Sequence, residues 1–192
     1  MEKEINILKI TTAAQWRDWL AKNHHTTKPV WLKMQRKNSI KPGLLYEDAI
    51  DEALCYGWID STKRAWDENF SIQSFTPRKP KSVWSGINKN KVKRLIKDGK
   101  MEKPGHDSIK AAKANGYWTI MDDVEKMIIP DDLQAAFNSS PEAEDYFLGL
   151  SDSNKKLVLR WLVLAQREET RKQRIGVIVE NAGEGRIPSQ LA

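Results

Sequence analysis

The stretch WIDSTKRAWDENFSIQSFT, residues 58–76, decides the fold. Two short runs of aromatic and β-branched residues, 58–66 and 70–76, flank the polar tripeptide 67–69. This pattern is typical of two antiparallel strands joined by a hairpin turn. Pro77 follows the second run. Because proline cannot continue a strand ladder, the hairpin is expected to end there.

Upstream of the hairpin, hydrophobic spacing predicts two helices and one strand. Apolar residues recur every three or four positions over residues 12–22 and again over residues 45–56, which favours helices. Between them, residues 30–37 alternate apolar and polar side chains, as a strand with one wetter side does. Gly57 ends the second helix, since glycine readily adopts the left-handed conformation found there.

Downstream of the hairpin, a helix is predicted from Ser82 or Ser85 to residue 98, closed by Gly99. Pro104 and Gly105 are expected to break the chain before a short helix over residues 107–115.

Strand signals disappear from about residue 119, where short helices with acidic linkers begin and a long helix over about 151–180 follows. We therefore predict an α+β fold with a small, mainly antiparallel sheet packed by helices and a helical C-terminal extension. The α+β module spans residues 1–118 and the helical part residues 119–192, with a loose tail after about residue 182.

Composition restricts the functional class. The 192 residues are 40% hydrophobic, carry a net charge of +6 and contain one cysteine and three histidines. One cysteine excludes an internal disulfide, and this Cys/His content lacks the spacing of a metal site, so neither a metal nor another cofactor is expected. The sequence has no apolar stretch long enough to span a membrane, and the N-terminus resembles no signal peptide, so we expect a cytoplasmic protein.

The charge is unevenly distributed along the chain. Residues 61–103 carry 12 basic and 4 acidic groups, whereas residues 119–152 carry 1 basic and 9 acidic groups. The basic block serves either as a surface for an anionic ligand or an acidic protein partner, or as the electrostatic complement of the acidic block.

The ends of the predicted hairpin suggest an anion-binding pocket. Residues 58–60 at one strand end face a basic loop that enters a helix at residues 82–85, bringing cationic side chains, hydroxyls and free helix N–H groups together. In this hypothesis a guanidinium grips the anion, a tryptophan stacks on it and polar side chains orient it. The candidate ligand-binding residues are Trp58, Asp60, Arg78, Ser82, Trp84 and Asn88. In the structural alternative, Asp60 pairs with Arg78, the tryptophans are core residues and Ser82 caps the helix.

Two basic helical stripes suggest nucleic-acid binding as a second possibility, with the aromatic hairpin available for stacking. Their residues are Lys89, Lys93, Lys97, Arg167, Arg171 and Arg174. The same residues also suit ordinary solvated helix faces.

An enzymatic role has less support. Cys55 lies at the C-terminal end of its helix, where the helix dipole raises a thiol pKa, so it is expected to be a buried structural residue. No motif pairs a nucleophile with a base, so we name no catalytic residue and regard a small-molecule enzyme using the same pocket as the third possibility.

Three separated motifs resemble one known family. They are Cys55-Tyr-Gly-Trp-Ile-Asp-Ser61, Thr76-Pro-Arg-Lys-Pro-Lys-Ser-x-Trp-Ser-x-x-Asn88, and Arg160-Trp-Leu162 with Glu168-Glu-Thr-Arg-Lys-Gln-Arg-Ile175. Together, over about residues 12–180, they resemble the YdeI/OmpD-associated (OmdA) family, also called bacteriocin-protection proteins. This resemblance implies a role in stress tolerance towards cationic antimicrobial peptides and bacteriocins, and it brings no agreed catalytic residue.

Overall fold

The computed structural model describes residues 7–191, which form two compact units meeting in sequence at Trp118 and Thr119. Within residues 7–118, the N-terminal unit contains four strands and four helices in the order β1 Ile7–Leu8, α1 Ala13–Asn23, β2 Val30–Gln35, α2 Tyr46–Cys55, β3 Trp58–Ala65, β4 Phe70–Pro77, α3 Gly86–Lys97 and α4 Lys103–Ala114. The fold class is α+β, as predicted.

The four strands form one sheet in the order β1-β2-β4-β3. The predicted hairpin is present, with β3 antiparallel to β4 and a register shift between Asp60 and Lys63. β2 is antiparallel to the other side of β4, whereas the short β1 pairs in parallel with β2. The sheet is therefore mainly antiparallel.

The helices of this unit share a core with one face of the sheet. Leu32, Met34 and Phe75 belong to the buried cluster, together with Trp16 of α1 and Leu54 of α2. Burial of apolar side chains between helices and sheet is the main force that stabilises such a layered fold.

Local signals set several helix ends. The Thr12 hydroxyl accepts from Gln15 N–H at the start of α1, and the Ser85 hydroxyl accepts from Asn88 N–H at the start of α3. Gly57 and Gly99 follow α2 and α3 with φ of +72° and +66°, the left-handed conformation that glycine adopts at lowest cost.

The predicted break at Pro104 and Gly105 was wrong, because both residues lie inside α4. Pro104 occupies the first turn, where its missing N–H costs no helical hydrogen bond. Gly105 is buried, and its lack of a Cβ allows close approach to the carbonyl oxygens of Leu54 and Cys55.

The C-terminal unit is helical throughout its described residues, with α5 Asp122–Glu125, α6 Asp131–Phe137, α7 Pro141–Gly149, α8 Asp152–Val163, α9 Glu168–Gly183 and a 3₁₀ turn Ser189–Leu191. The predicted single helix over 151–180 was wrong, since the helix is interrupted between Val163 and Glu168. α8 and α9 each bury an apolar face, and for this reason the hydrophobic spacing typical of a helix is present on both sides of the interruption. After α9, residues 183–186 are exposed and Pro188 is buried.

Candidate functional site

Arg78 occupies an unusual position directly after β4. Its guanidinium carbon lies 3.6 Å from the centre of the Trp84 ring, and Nη1 donates to the carbonyl of Val83 at 3.1 Å. Nε and Nη2 are also buried, yet neither meets a hydrogen-bond partner within residues 7–191. Burial lowers the pKa of Arg78 to about 10, against a smaller opposing effect of Asp60. A buried cation with unused donors is energetically unfavourable.

A cleft of about 740 Å³ opens beside Arg78. Its lining combines cationic, imidazole and hydroxyl groups with apolar side chains and one carboxylate, and includes His24, His25, Thr26, Ser61, Thr76, Lys79 and Ser82. The carboxylate belongs to Asp60 and accepts a hydrogen bond of 2.9 Å from the Tyr46 hydroxyl. Burial and this contact raise the pKa of Tyr46. Arg78 and Lys79 outweigh Asp60, so the cleft carries a net positive charge and offers several hydrogen-bond donors.

A second cleft, of about 440 Å³, also reaches Arg78. Lys103 and Ser108 of α4 contribute to its lining, together with His24 and Asp107. Arg78 thus lies between two clefts of the N-terminal unit.

Asp60, Arg78 and Ser82, three of the six predicted ligand-binding residues, line the larger cleft. Ser82 does not cap the helix. Its hydroxyl accepts from Lys79 N–H at 3.0 Å within a tight turn, and Ser85 supplies the cap of α3 instead.

The two predicted stacking residues are core residues. Trp58 is 0% exposed and donates through Nε1 to the His24 carbonyl at 3.0 Å. Trp84 is 1% exposed, and Arg78 lies against its ring. Trp58 borders the smaller cleft, although its side chain is buried, and the ring of Trp84 is covered by Arg78. Asn88 lies in the first turn of α3 and is not among the side chains that line either cleft.

The basic helical stripes are less exposed than their spacing indicated. Lys89 is buried, with its ammonium 5.5 Å from the centre of the Trp118 ring, whereas Lys93 and Lys97 are exposed. Because an α-helix has about 3.6 residues per turn, residues spaced four apart rotate gradually around its axis. Lys89 therefore lies on the buried side of α3, although Lys93 and Lys97 are exposed.

Of the three arginines predicted to form the basic stripe of the C-terminal unit, two make intramolecular contacts. Arg171 pairs with Asp132, and Arg174 lies 4.7 Å from the Trp161 ring centre and donates to the Trp161 carbonyl. Arg167 is exposed and precedes the first turn of α9.

His24 and Thr76 line the cleft and Tyr46 donates to its carboxylate, but none of the three was among the predicted ligand-binding residues. They come from the end of α1, from β4 and from the start of α2. Thr76 begins the second motif, whereas no local pattern marks His24 or Tyr46. In the described part of the chain, no group of three or more histidine, cysteine, aspartate or glutamate side chains could hold a metal ion. None of the helices within residues 7–191 combines the length and apolar character needed to cross a membrane.

These features define a class of α+β protein with a donor-rich cationic cleft in its N-terminal unit and a helical C-terminal unit. Comparison with family models gives two matches. Residues 8–108 match a family described as a domain of unknown function (DUF8412), and residues 126–185 match the family described as "Bacteriocin-protection, YdeI or OmpD-Associated" (OmdA). The chain belongs to the DUF8412 family and carries an OmdA domain in its C-terminal unit.

The two matches divide the three motifs of the sequence analysis. The first two motifs lie within residues 8–108, and the third lies within the OmdA match. Searches of curated proteins and of solved structures gave no significant match.

Proposed function

We propose that this protein is a non-enzymatic binder of a small anionic ligand, which it holds on Arg78 as part of a role in bacteriocin tolerance. One observation carries the binding proposal. Nε and Nη2 of Arg78, buried beside the cleft, have no partner in residues 7–191. A donor left in this state costs about 1–3 kcal/mol, which a carboxylate or phosphate oxygen would recover.

The geometry of the guanidinium favours two-point recognition. Nη1 is already engaged by the Val83 carbonyl and the ring of Trp84 fixes the position of the group. The remaining donors, Nε and Nη2, form one edge of the planar fork, and such an edge matches two oxygens of a carboxylate or phosphate. Nε and Nη2 are buried, so side chains of the cleft must move before a ligand can reach them. This requirement favours a small anion.

The surrounding cleft adds the groups that such a ligand needs. Lys79 supplies a second positive charge, and hydroxyls such as those of Ser61 and Thr76 lie on the lining. Asp60 opposes an anion electrostatically, so we assign it no direct ligand contact.

The tolerance role rests on the description of the OmdA family, and a cytoplasmic location remains part of the proposal. Among the described residues, the thiol of Cys55 gives the enzymatic alternative no support, because it is buried and burial raises its pKa to about 11.

The test is a thermal-shift titration of the full chain with inorganic phosphate, pyrophosphate, citrate and a nucleoside monophosphate, each at low and high NaCl. Arg78→Met removes the fork, and Lys81→Met removes the same charge from an exposed neighbour outside the cleft lining. A ligand at 100 times its Kd stabilises the fold by about 2.7 kcal/mol. We expect a salt-tolerant shift that Lys81→Met retains and Arg78→Met loses.

Asp60→Asn adds a second readout. Removing this negative charge is expected to tighten anion binding about three- to tenfold, since a nearby like charge costs on the order of 1 kcal/mol in a half-exposed site. Shifts that disappear at high salt and persist in Arg78→Met would contradict the proposed site, as would the absence of a shift with every anion.

A further inference from the structure

The face of the sheet opposite the core carries a distinct set of side chains. Residues paired across neighbouring strands share a face, so Lys33, Ile72 and Arg64 form one row across β2, β4 and β3. Trp31 and Phe70 lie on the same face, two residues along β2 and β4. Trp66 follows Ala65 at the end of β3. We call this set the aromatic–cationic face.

The side chains of this face contact one another rather than the helices of the core. The Lys33 ammonium lies 4.3 Å from the Phe70 ring centre and 5.7 Å from that of Trp66, and the Arg64 guanidinium lies 5.3 Å from the Trp31 ring centre. Ile72 is only 2% exposed although it is not part of the core cluster. The rings and cations therefore form the outer layer here.

This outer layer remains accessible to a partner. Trp66 is 52% exposed and Arg64 is exposed, while Trp31, Lys33 and Phe70 are half-buried. A large aromatic ring that is half exposed to water beside a cation is a typical contact residue of a binding surface.

Further cations lie across the sheet from the rings. A cleft of about 830 Å³ on the face that carries Met34 and Ser71 is lined by Arg36, Lys37 and Lys63, and it shares Arg64 with the aromatic–cationic face. Its one lining carboxylate, Glu47, is paired with Lys91. The carboxylate of Asp67 is also engaged, because it accepts from the backbone N–H groups of Asn69 and Phe70 and lies 3.5 Å from Lys33. With Glu68 included, the two faces together carry five cations against three carboxylates, and this excess of positive charge suits a polyanion.

We propose that the aromatic–cationic face binds single-stranded nucleic acid. Unpaired bases stack on aromatic rings, and the phosphates between them pair with lysine and arginine. On the aromatic–cationic face, rings and cationic side chains lie next to each other, on the same strand or on neighbouring strands. A duplex keeps its bases stacked internally and offers no ring face, and an acidic protein surface would use the cations without requiring the rings. This site is separate from Arg78 and uses none of the helical stripes.

The test is fluorescence anisotropy of labelled dT20 and U20 with the full chain at 50 and 200 mM NaCl. The variants are Trp66→Ala, Trp66→Phe and Arg64→Ala, with Lys97→Ala as the control that removes one exposed charge from α3. An unlabelled duplex and heparin serve as competitors. Circular dichroism verifies that each variant is folded.

We expect Trp66→Ala and Arg64→Ala each to weaken binding at least about fivefold, Trp66→Phe to restore most of the loss and Lys97→Ala to change binding less than twofold. Affinity is expected to fall with salt, and unlabelled single strands should compete better than the duplex.

Three results would overturn the proposal. They are no binding of either oligonucleotide at 50 mM NaCl, binding that Trp66→Ala leaves unchanged, and competition by heparin or duplex equal to that by single strands. The last result would indicate a surface for acidic partners in general.

Discussion

The guanidinium of Arg78 lies against the ring of Trp84, 3.6 Å from its centre, and one carbonyl completes its contacts in the described residues. The cation is therefore stabilised by a ring and a dipole instead of a carboxylate. Because its folded-state pKa, about 10, lies below the ordinary value of an arginine, the folded protein binds this proton less tightly than the unfolded chain does. The resulting destabilisation is fully present below about pH 10 and disappears as the pH rises from there through the ordinary pKa of arginine.

Arg78→Met is expected to stabilise the ligand-free protein by about 1–2 kcal/mol at pH 7. Methionine keeps an apolar chain against Trp84 and removes a buried charge with two unused donors. Urea denaturation of the full chain in a buffer without phosphate or carboxylate measures this change. A loss of more than about 1 kcal/mol would instead indicate that the charge stabilises the fold through the ring.

Gly105→Ala is expected to destabilise the N-terminal unit by about 2–3 kcal/mol. A Cβ at this position would lie 2.8 Å from the carbonyl oxygen of Leu54 and closer still to that of Cys55, and backbone atoms cannot move aside cheaply. The control is Gly86→Ala at the start of α3, where a Cβ meets no atom within 4 Å of its described surroundings. That variant should change stability by no more than about 0.5 kcal/mol. Equal unfolding midpoints for the two variants would show that α4 shifts to accept the methyl group.

Cys55 is expected to resist alkylation in the native protein. The side chain is fully buried, and burial raises its pKa to about 11, partly opposed by Arg17. At pH 8 about one Cys55 thiol in a thousand is then ionised, and burial keeps the alkylating reagent away from the sulfur. Mass spectrometry after iodoacetamide treatment should show modification in 6 M urea and almost none in buffer. Rapid labelling in buffer would contradict the packing of α2.

Asp132→Asn is expected to destabilise α6 and α9 by about 0.5–1 kcal/mol at pH 7. Hydrogen bonds from Arg171 lower the pKa of Asp132 below its ordinary value of 3.8. The stabilisation is therefore present above that value and is lost as the pH falls through the lowered one. Amide hydrogen exchange of α9 should show a smaller difference between wild type and variant at pH 3 than at pH 7.

Asp131→Asn is the matched control for that experiment, because Asp131 shares the first turn of α6 and is exposed. An effect as large as that of Asp132→Asn would attribute the change to the helix dipole. An effect of Asp132→Asn that is as large at pH 3 as at pH 7 would contradict the ion pair as its cause.

Local chemistry in the sequence predicted the hairpin and the helix ends at Gly57 and Gly99, and it restricted the cap of α3 to Ser82 or Ser85. Each of these features depends on a few adjacent residues, such as a hydroxyl near a free N–H or a glycine at positive φ. The break assigned to Pro104 and Gly105 failed because the same residue types also suit a helix start and a close helix contact. The distinction depended on Leu54 and Cys55, about 50 residues earlier in the chain.

The candidate site shows the same division. The sequence identified Arg78 as a candidate by its residue type and its place after a strand, and it identified the net positive charge of the region. Only the tertiary structure decided that Trp84 stacks on Arg78 instead of on a ligand, that Asp60 bonds to Tyr46, and that His24 joins the cleft. Residue order alone determined the local conformations and the alternation of strand faces, because those depend on near neighbours. Burial and partner choice depend on which distant segments the fold brings together, and for that reason they were decided by the tertiary structure alone.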